Sequence, residues 1–255
     1  MNIRYFLSYF LQDEDWLKKY ILGCLLMVPS VLATLCNPSL HFMKYAIAVK
    51  SIGLNTALLL MFVFGVFGIL CGIFISGYLG VNANLRIYKK GANLPNWLNL
   101  KSIFNVGLKM TAASLIYFVA MILPFISLIF ITTIICSFFV QGTLWDILPA
   151  AIKVSYFITV ILTCVLFVTA LLAFSTDLKF RSFFCYKLMG NIIKNNMKKY
   201  FVYLAYCIIV SVLFYIVNIF AFNKFTVLAA IIPFLSFYFS LVFPEVLAYV
   251  VRPLE

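Results

Sequence analysis

Six stretches of this chain run for at least 20 residues without a Lys, Arg, Asp or Glu: 20–43, 51–85, 110–145, 154–176, 200–223 and 225–244. A helix rises about 1.5 Å per residue, so ~20 apolar residues cross the ~30 Å hydrocarbon core of a bilayer. The stretches are continuously apolar and do not alternate with period two, which predicts helices and not the strands of a barrel. Composition agrees: 65% of residues are hydrophobic and 10% charged, against roughly 25% charged in a soluble domain. So much apolar surface needs lipid as its solvent. The expected fold class is an all-α, polytopic integral membrane protein. A single membrane domain, 1–255, is expected, with six spans at approximately 20–43, 54–82, 110–140, 152–175, 200–222 and 225–248.

The basic residues orient these spans. Fifteen of the 19 Lys and Arg fall in alternate gaps. They are Arg4, Lys18 and Lys19; then Arg86, Lys89, Lys90, Lys101 and Lys109; then Lys179, Arg181, Lys187, Lys194, Lys198 and Lys199; then Arg252. The opposite gaps hold only Lys44, Lys50, Lys153 and Lys224. Cytoplasmic loops carry the excess of basic residues, so both termini are expected in the cytoplasm. Trp16, Trp97 and Trp145 lie near span ends, where amphipathic rings favour headgroup level. Asp13, Glu14 and Asp15 occupy what would be the basic region of a signal peptide, so the first span is expected to be retained. The same three acids precede W-L-K-K, where negative charge suits a helix start.

The net charge of +12 would point to nucleic acid in a soluble chain. Here the charges flank apolar spans, so anionic headgroups are the expected counter-charge and nucleic acid is not an expected partner. Two basic connections read as amphipathic helices lying on the inner leaflet, approximately 97–109 and 179–199. In the first, Lys101, Asn105 and Lys109 share a face opposite Trp97, Leu100, Ile103, Phe104 and Leu108. In the second, Lys187, Asn191, Lys194 and Lys198 form a polar stripe opposite Phe180, Phe184, Leu188 and Ile192. Lys101, Lys109, Lys187, Lys194 and Lys198 are therefore candidate contacts for anionic lipid. A solvated connecting helix is the alternative. K-S-I-F from Lys101 and R-S-F-F from Arg181 hint at a parallel internal repeat.

Gly68, Gly72, Ser76 and Gly80 recur every four residues and would let a second helix approach closely. Packing within the chain and assembly with a second copy or another membrane protein both fit that ridge, and Gly72→Leu would disrupt it. Pro29, Pro124 and Pro233 fall inside spans and can kink or break helices. Asn55, Asn82, Asn84 and Asn218 are candidate interhelical glue. Glu245 is expected at an interface and His41 near the outer boundary, neither with an obvious partner.

The seven Cys are dispersed, with no C-x-x-C and one His in the chain. No disulfide framework, metal site or cofactor is expected. An intramembrane enzyme needs a nucleophile with a base, paired acids or a metal. No such set is apparent, so no catalytic residue is assigned and an enzyme is not expected.

Three stretches carry a family likeness. One is D-E-D-W-L-K-K from Asp13, with Gly23 and Pro29 after it. Another is G-Y-L from Gly77, then Leu85, Arg86 and L-P-N-W from Leu94 to Trp97. The third is Phe104, G-L-K from Gly107 and Tyr117, and the closing P-E-V-L-A-Y from Pro244 fits the same layout. On these residues the chain resembles the bacterial and archaeal integral-membrane family of unknown function DUF4013. It departs from the pattern in about 35 residues near 33–67 and in Leu98 and Asn99, where the family tends to have acids. The resemblance implies architecture and no chemistry; the expected location is the inner membrane. The expected function is a non-enzymatic membrane component that binds lipid or a partner protein. The alternative is a permease-like protein for a small neutral or lipidic molecule, which predicts a polar cavity between spans.

Overall fold

The computed structural model describes residues 8–49, 51–88, 93–139, 144–223 and 226–252, and no strand occurs among them. Arg4, Lys50, Lys89, Lys90 and Lys224, counted in the charge asymmetry, lie outside the described residues, as do the side chains of His41 and Trp145. Eight α-helices follow in order among the described residues: α1 (Trp16–Leu35), α2 (His41–Ala48), α3 (Leu54–Tyr88), α4 (Leu100–Phe139), α5 (Leu144–Asp177), α6 (Tyr186–Asn195), α7 (Met197–Asn223) and α8 (Ile232–Val251). Short 3-10 turns occupy Tyr9–Gln12, Phe180–Phe184 and Thr226–Ile231. Among the described residues, six helical stretches are long and apolar enough to cross a membrane: Trp16–Leu35, Leu54–Tyr88, Leu100–Phe139, Asp146–Asp177, Met197–Phe222 and Ala229–Val251. The structure is that of an all-α, polytopic membrane protein.

The first basic connection is not a separate helix. α4 runs unbroken through 40 residues from Leu100 to Phe139, about 60 Å by helical rise and twice the hydrocarbon thickness. No proline lies between Asn99 and Lys109 to interrupt it, and Gly107 is held by a tight interhelical contact. The second connection is divided at Cys185 and Asn196 into a 3-10 turn, the short α6 and the start of α7. The apolar side of α6 (Leu188, Met189, Ile192 and Ile193) packs against the protein core. K-S-I-F is α-helical and R-S-F-F is a 3-10 turn, so the two short motifs do not share a local structure. The first span ends at Leu35, and α2 then intervenes before α3.

Proline behaves according to position. Pro29 and Pro124 lie inside α1 and α4, which continue through them. Pro233 is the second residue of α8, not a mid-span break. It follows a 3-10 turn, at a place where a helical N–H has no partner to lose.

Glycines set the closest helix approaches. A Cβ on Gly77 of α3 would collide with the carbonyl oxygen of Ile103 in α4, and a Cβ on Gly107 would collide with the carbonyl of Ile73. This reciprocal pair brings two backbones together, the use of small residues typical of membrane helix packing. Gly68 faces α1, where a Cβ would lie 2.8 Å from Ser30 Oγ, and Gly80 faces Val106 and Met110 at 2.9 Å each. Gly23 of α1 makes room for the Phe237 ring of α8. Gly72 has nothing within 4 Å of its Cβ position. The four-residue ridge therefore winds across several neighbours and is not one flat face. Gly72→Leu is accordingly expected to leave the unfolding midpoint of the isolated chain within about 2 °C, the scale of a surface substitution. A drop beyond that in thermal unfolding of the isolated chain would show that Gly72 is packed within it after all.

Around the bundle, Leu59, Phe62, Phe67, Ile69, Leu123, Phe130 and Phe138 are exposed. In water such a surface would aggregate; on spanning helices it is the lipid face.

Candidate functional site

The C-terminal part of α3 carries Tyr78, Asn82 and Arg86. Spacing of four residues places them on one helix face, and all three are buried. The opposite wall is α8, which contributes Glu245, 1% exposed. The 3-10 turn Tyr9–Gln12 closes the remaining side. Tyr9 donates its hydroxyl to the Leu241 carbonyl at 2.5 Å and accepts from Asn82 Nδ2 at 3.0 Å.

Three charges meet there. Arg252 Nη1 lies 3.0 Å from Glu245 Oε1, and Arg86 Nε lies 3.9 Å from Glu245 Oε2. The Arg86 guanidinium also sits 4.1 Å from the centre of the Tyr9 ring, where the π-face attracts a cation. Arg252 Nε donates to the Arg86 carbonyl at 2.8 Å, Nη2 reaches the same oxygen, and Lys199 Nζ donates to the Arg252 carbonyl at 3.1 Å. A basic side chain thereby meets one of the last carbonyls of α3, at the negative end of its dipole. One carboxylate between two guanidiniums makes the cluster basic and draws α3, α8 and the start of α7 together.

Glu245 is thus buried and doubly flanked, where the sequence offered no obvious partner. Its spacing to Arg252 carried a signal: seven residues place both on one helix face. Arg86 belonged to the basic count, and nothing local in the sequence marked its partner.

A second buried ion pair adjoins the first. Lys19 Nζ contacts both Asp13 carboxylate oxygens, at 2.8 and 3.0 Å. Asp13 also accepts the Leu94 and Asp15 N–H groups at 2.8 and 2.9 Å, and Lys19 donates to the Leu94 carbonyl at 3.0 Å. Trp97 Nε1 donates to the Lys19 carbonyl at 3.2 Å, while its ring stacks on Tyr78 at 4.1 Å between centroids. D-E-D-W-L-K-K and L-P-N-W, distant in sequence, therefore meet in space. The acidic cluster does more than start a helix: Asp15, at the N-cap of α1, makes no side-chain cap bond. Trp97 is buried within the protein.

The other candidates distribute unevenly. Lys101, Lys187, Lys194 and Lys198 are exposed. Lys109 is partly buried and donates to the carbonyl of Leu178 at 3.1 Å. Leu178 ends α5 in the left-handed conformation, φ 54°. Asn84 Nδ2 bridges α3 to the Ser175 and Thr176 carbonyls of α5 at 2.8 and 3.0 Å, so Asn82 and Asn84 both act between elements. Asn55 is exposed. Among the described residues, no three His, Cys, Asp or Glu side chains converge as metal ligands would.

An apolar groove of about 420 Å³ opens between α1 and the segment leading into α8. Ile21, Leu25, Leu32, Ala229, Pro233 and Phe234 line it. It is not the polar cavity that a pathway for a small polar solute would require.

Helices with a lipid-facing exterior, glycine-mediated crossings and a charged cluster where α3, α7 and α8 meet define a class: a helical, polytopic membrane protein with a basic end. Within that class the chain belongs to the family described as "Protein of unknown function (DUF4013)", which matches residues 69–223. No curated protein matches the chain, and no solved structure does. The matched region holds Tyr78, Asn82, Arg86, L-P-N-W and the Gly77–Gly107 contact. Asp13, Lys19, Glu245 and Arg252 lie outside it.

Proposed function

We propose that this protein is a non-enzymatic membrane component whose basic end binds anionic lipid headgroups. One observation carries the reading: Lys187, Lys194 and Lys198 are exposed together on α6 and the start of α7 while the apolar side of α6 packs into the protein. That arrangement leaves the charges free for a partner and holds them on a rigid support. Lys101 adds a further exposed charge at the start of α4. The chain's counter-charge is scarce, with seven Asp and Glu against 19 Lys and Arg, so an anionic surface is the natural complement. By the excess of basic residues this end faces the cytoplasm of a bacterial or archaeal cell, with the protein in the inner membrane and both termini inside.

The test is lipid retention by native mass spectrometry after extraction in membrane patches. Replacing Lys187, Lys194 and Lys198 together by Gln is expected to weaken anionic-lipid retention roughly five-fold per charge at low salt, and less at high salt. Equal retention by the parent and triple variant would overturn the assignment. A stoichiometric membrane-protein partner would redirect it to protein binding.

The apolar groove between α1 and α8 supports a second reading, a permease-like protein for a lipidic molecule. Its volume and lining suit a hydrocarbon chain. Transfer of a labelled lipid between leaflets of reconstituted vesicles tests it, and a rate equal to that of protein-free vesicles would remove it.

A further inference from the structure

We infer that the buried polar cluster between α3, α8 and the Tyr9 turn is a hydration site, with bound water bridging Arg86 Nε and Glu245 Oε2 and serving Tyr78 and Asn82. Four polar atoms there are buried without a hydrogen-bond partner: Tyr78 Oη, Asn82 Oδ1, Arg86 Nε and Glu245 Oε2. Their residues are 0%, 0%, 2% and 1% exposed. Buried polar groups left unpaired are destabilising, and charged ones more so.

The connections place these groups in one contiguous cluster. Tyr78, Asn82 and Arg86 follow each other at four-residue steps on α3. Asn82 bonds Tyr9, Tyr9 lies against Arg86, and Arg86 faces Glu245. The orientation of Asn82 is set by Tyr9. The single Tyr9 hydroxyl proton goes to the Leu241 carbonyl, so Tyr9 must accept from Asn82, which turns the amide NH2 toward it. Oδ1 is consequently the atom left open.

The open atoms select their ligand by sign. Arg86 Nε can only donate. Asn82 Oδ1 and Glu245 Oε2 can only accept while Glu245 is ionised, and the Tyr78 hydroxyl can do either. A metal cation would face two guanidiniums. An anion would face a carboxylate and a carbonyl oxygen. A small neutral molecule that both donates and accepts satisfies the set, and water is such a molecule. The 3.9 Å separation of Arg86 Nε and Glu245 Oε2 exceeds a direct hydrogen bond, yet one water at about 2.8–2.9 Å from each atom spans it.

Two measurements on the full chain test the site. The first is an experimental structure in lipid at a resolution that reveals ordered water. Density within hydrogen-bond distance of both Arg86 Nε and Glu245 Oε2 is the expected result. A dry cluster with Arg86 bonded directly to Glu245 would overturn it. The second is Tyr78→Phe, which keeps the ring stacked on Trp97 and removes only the hydroxyl. If that hydroxyl holds water, the midpoint of thermal unfolding falls by roughly 2–4 °C. If it is buried dry and unpaired, its removal relieves a penalty, and an unchanged or raised midpoint rejects the inference.

Discussion

Glu245→Ala is expected to lower the thermal unfolding midpoint by roughly 10 °C. Glu245 is the carboxylate flanked by both Arg86 and Arg252, and its side chain is 2% exposed. Removing it leaves a buried guanidinium on α3 facing another on the segment after α8. Breaking a buried pair from one side costs about 3–5 kcal/mol, because the remaining charge is uncompensated. For a chain of this size each kcal/mol corresponds to roughly 2–4 °C. Arg252 is partly exposed and can turn outward, whereas Arg86, stacked on Tyr9, cannot do so without opening the N-terminal turn. Arg86→Met combined with Glu245→Met is therefore expected to recover more than half of the loss, since an apolar pair often replaces a buried ion pair at little cost. Thermal unfolding of the single and double variants in lipid nanodiscs measures both effects. A single variant as stable as the parent would show that the charges are not coupled.

Gly77→Ala is expected to be comparably damaging, despite adding one methyl group. The new Cβ would land on the Ile103 carbonyl and lie 2.8 Å from the Gly107 nitrogen. Both obstacles are backbone, so no rotamer change relieves the clash and α3 and α4 must move apart. Overpacking usually costs about 1–3 kcal/mol, and a backbone obstruction belongs at or beyond the upper end. The displacement would also carry Tyr78, Asn82 and Arg86, on the same turns of α3, away from α8 and Tyr9. The expected outcome is a midpoint lowered by roughly 8 °C or more, with reduced recovery of monodisperse protein. Gly72→Leu, a much larger addition five residues away, is the matched control. If the two variants behave alike, the Gly77–Gly107 contact is not what sets the α3–α4 crossing.

These two predictions mark different degrees of legibility. The ridge at Gly68, Gly72, Ser76 and Gly80 was visible because its spacing is regular, and Gly68 and Gly80 do face neighbouring helices. The closer contact, Gly77 with Gly107, had no such periodicity: it joins one glycine on each of two helices, and only the crossing relates them. The resemblance had drawn on both residues, in G-Y-L and G-L-K, without showing that they touch. Asp13 and Lys19 were likewise visible as charges, but their common hold on Leu94 needed the loop to return to α1. The extended reach of α4 was missed because Lys101 and Lys109 suggested an interface, although no helix-breaking residue separates them from the span.

The sequence alone determined that this is a helical membrane protein with six apolar crossings. Hydrocarbon cannot satisfy free backbone groups, so long charge-free stretches have few other solutions. The same stretches place the lysines between crossings. Tertiary structure alone decided which polar residues became interior. Glu245 and Arg86 are 159 positions apart, and their pairing depends on how α3 crosses α8. Glycine contacts set such crossings over a few ångströms, a distance that hydropathy does not encode.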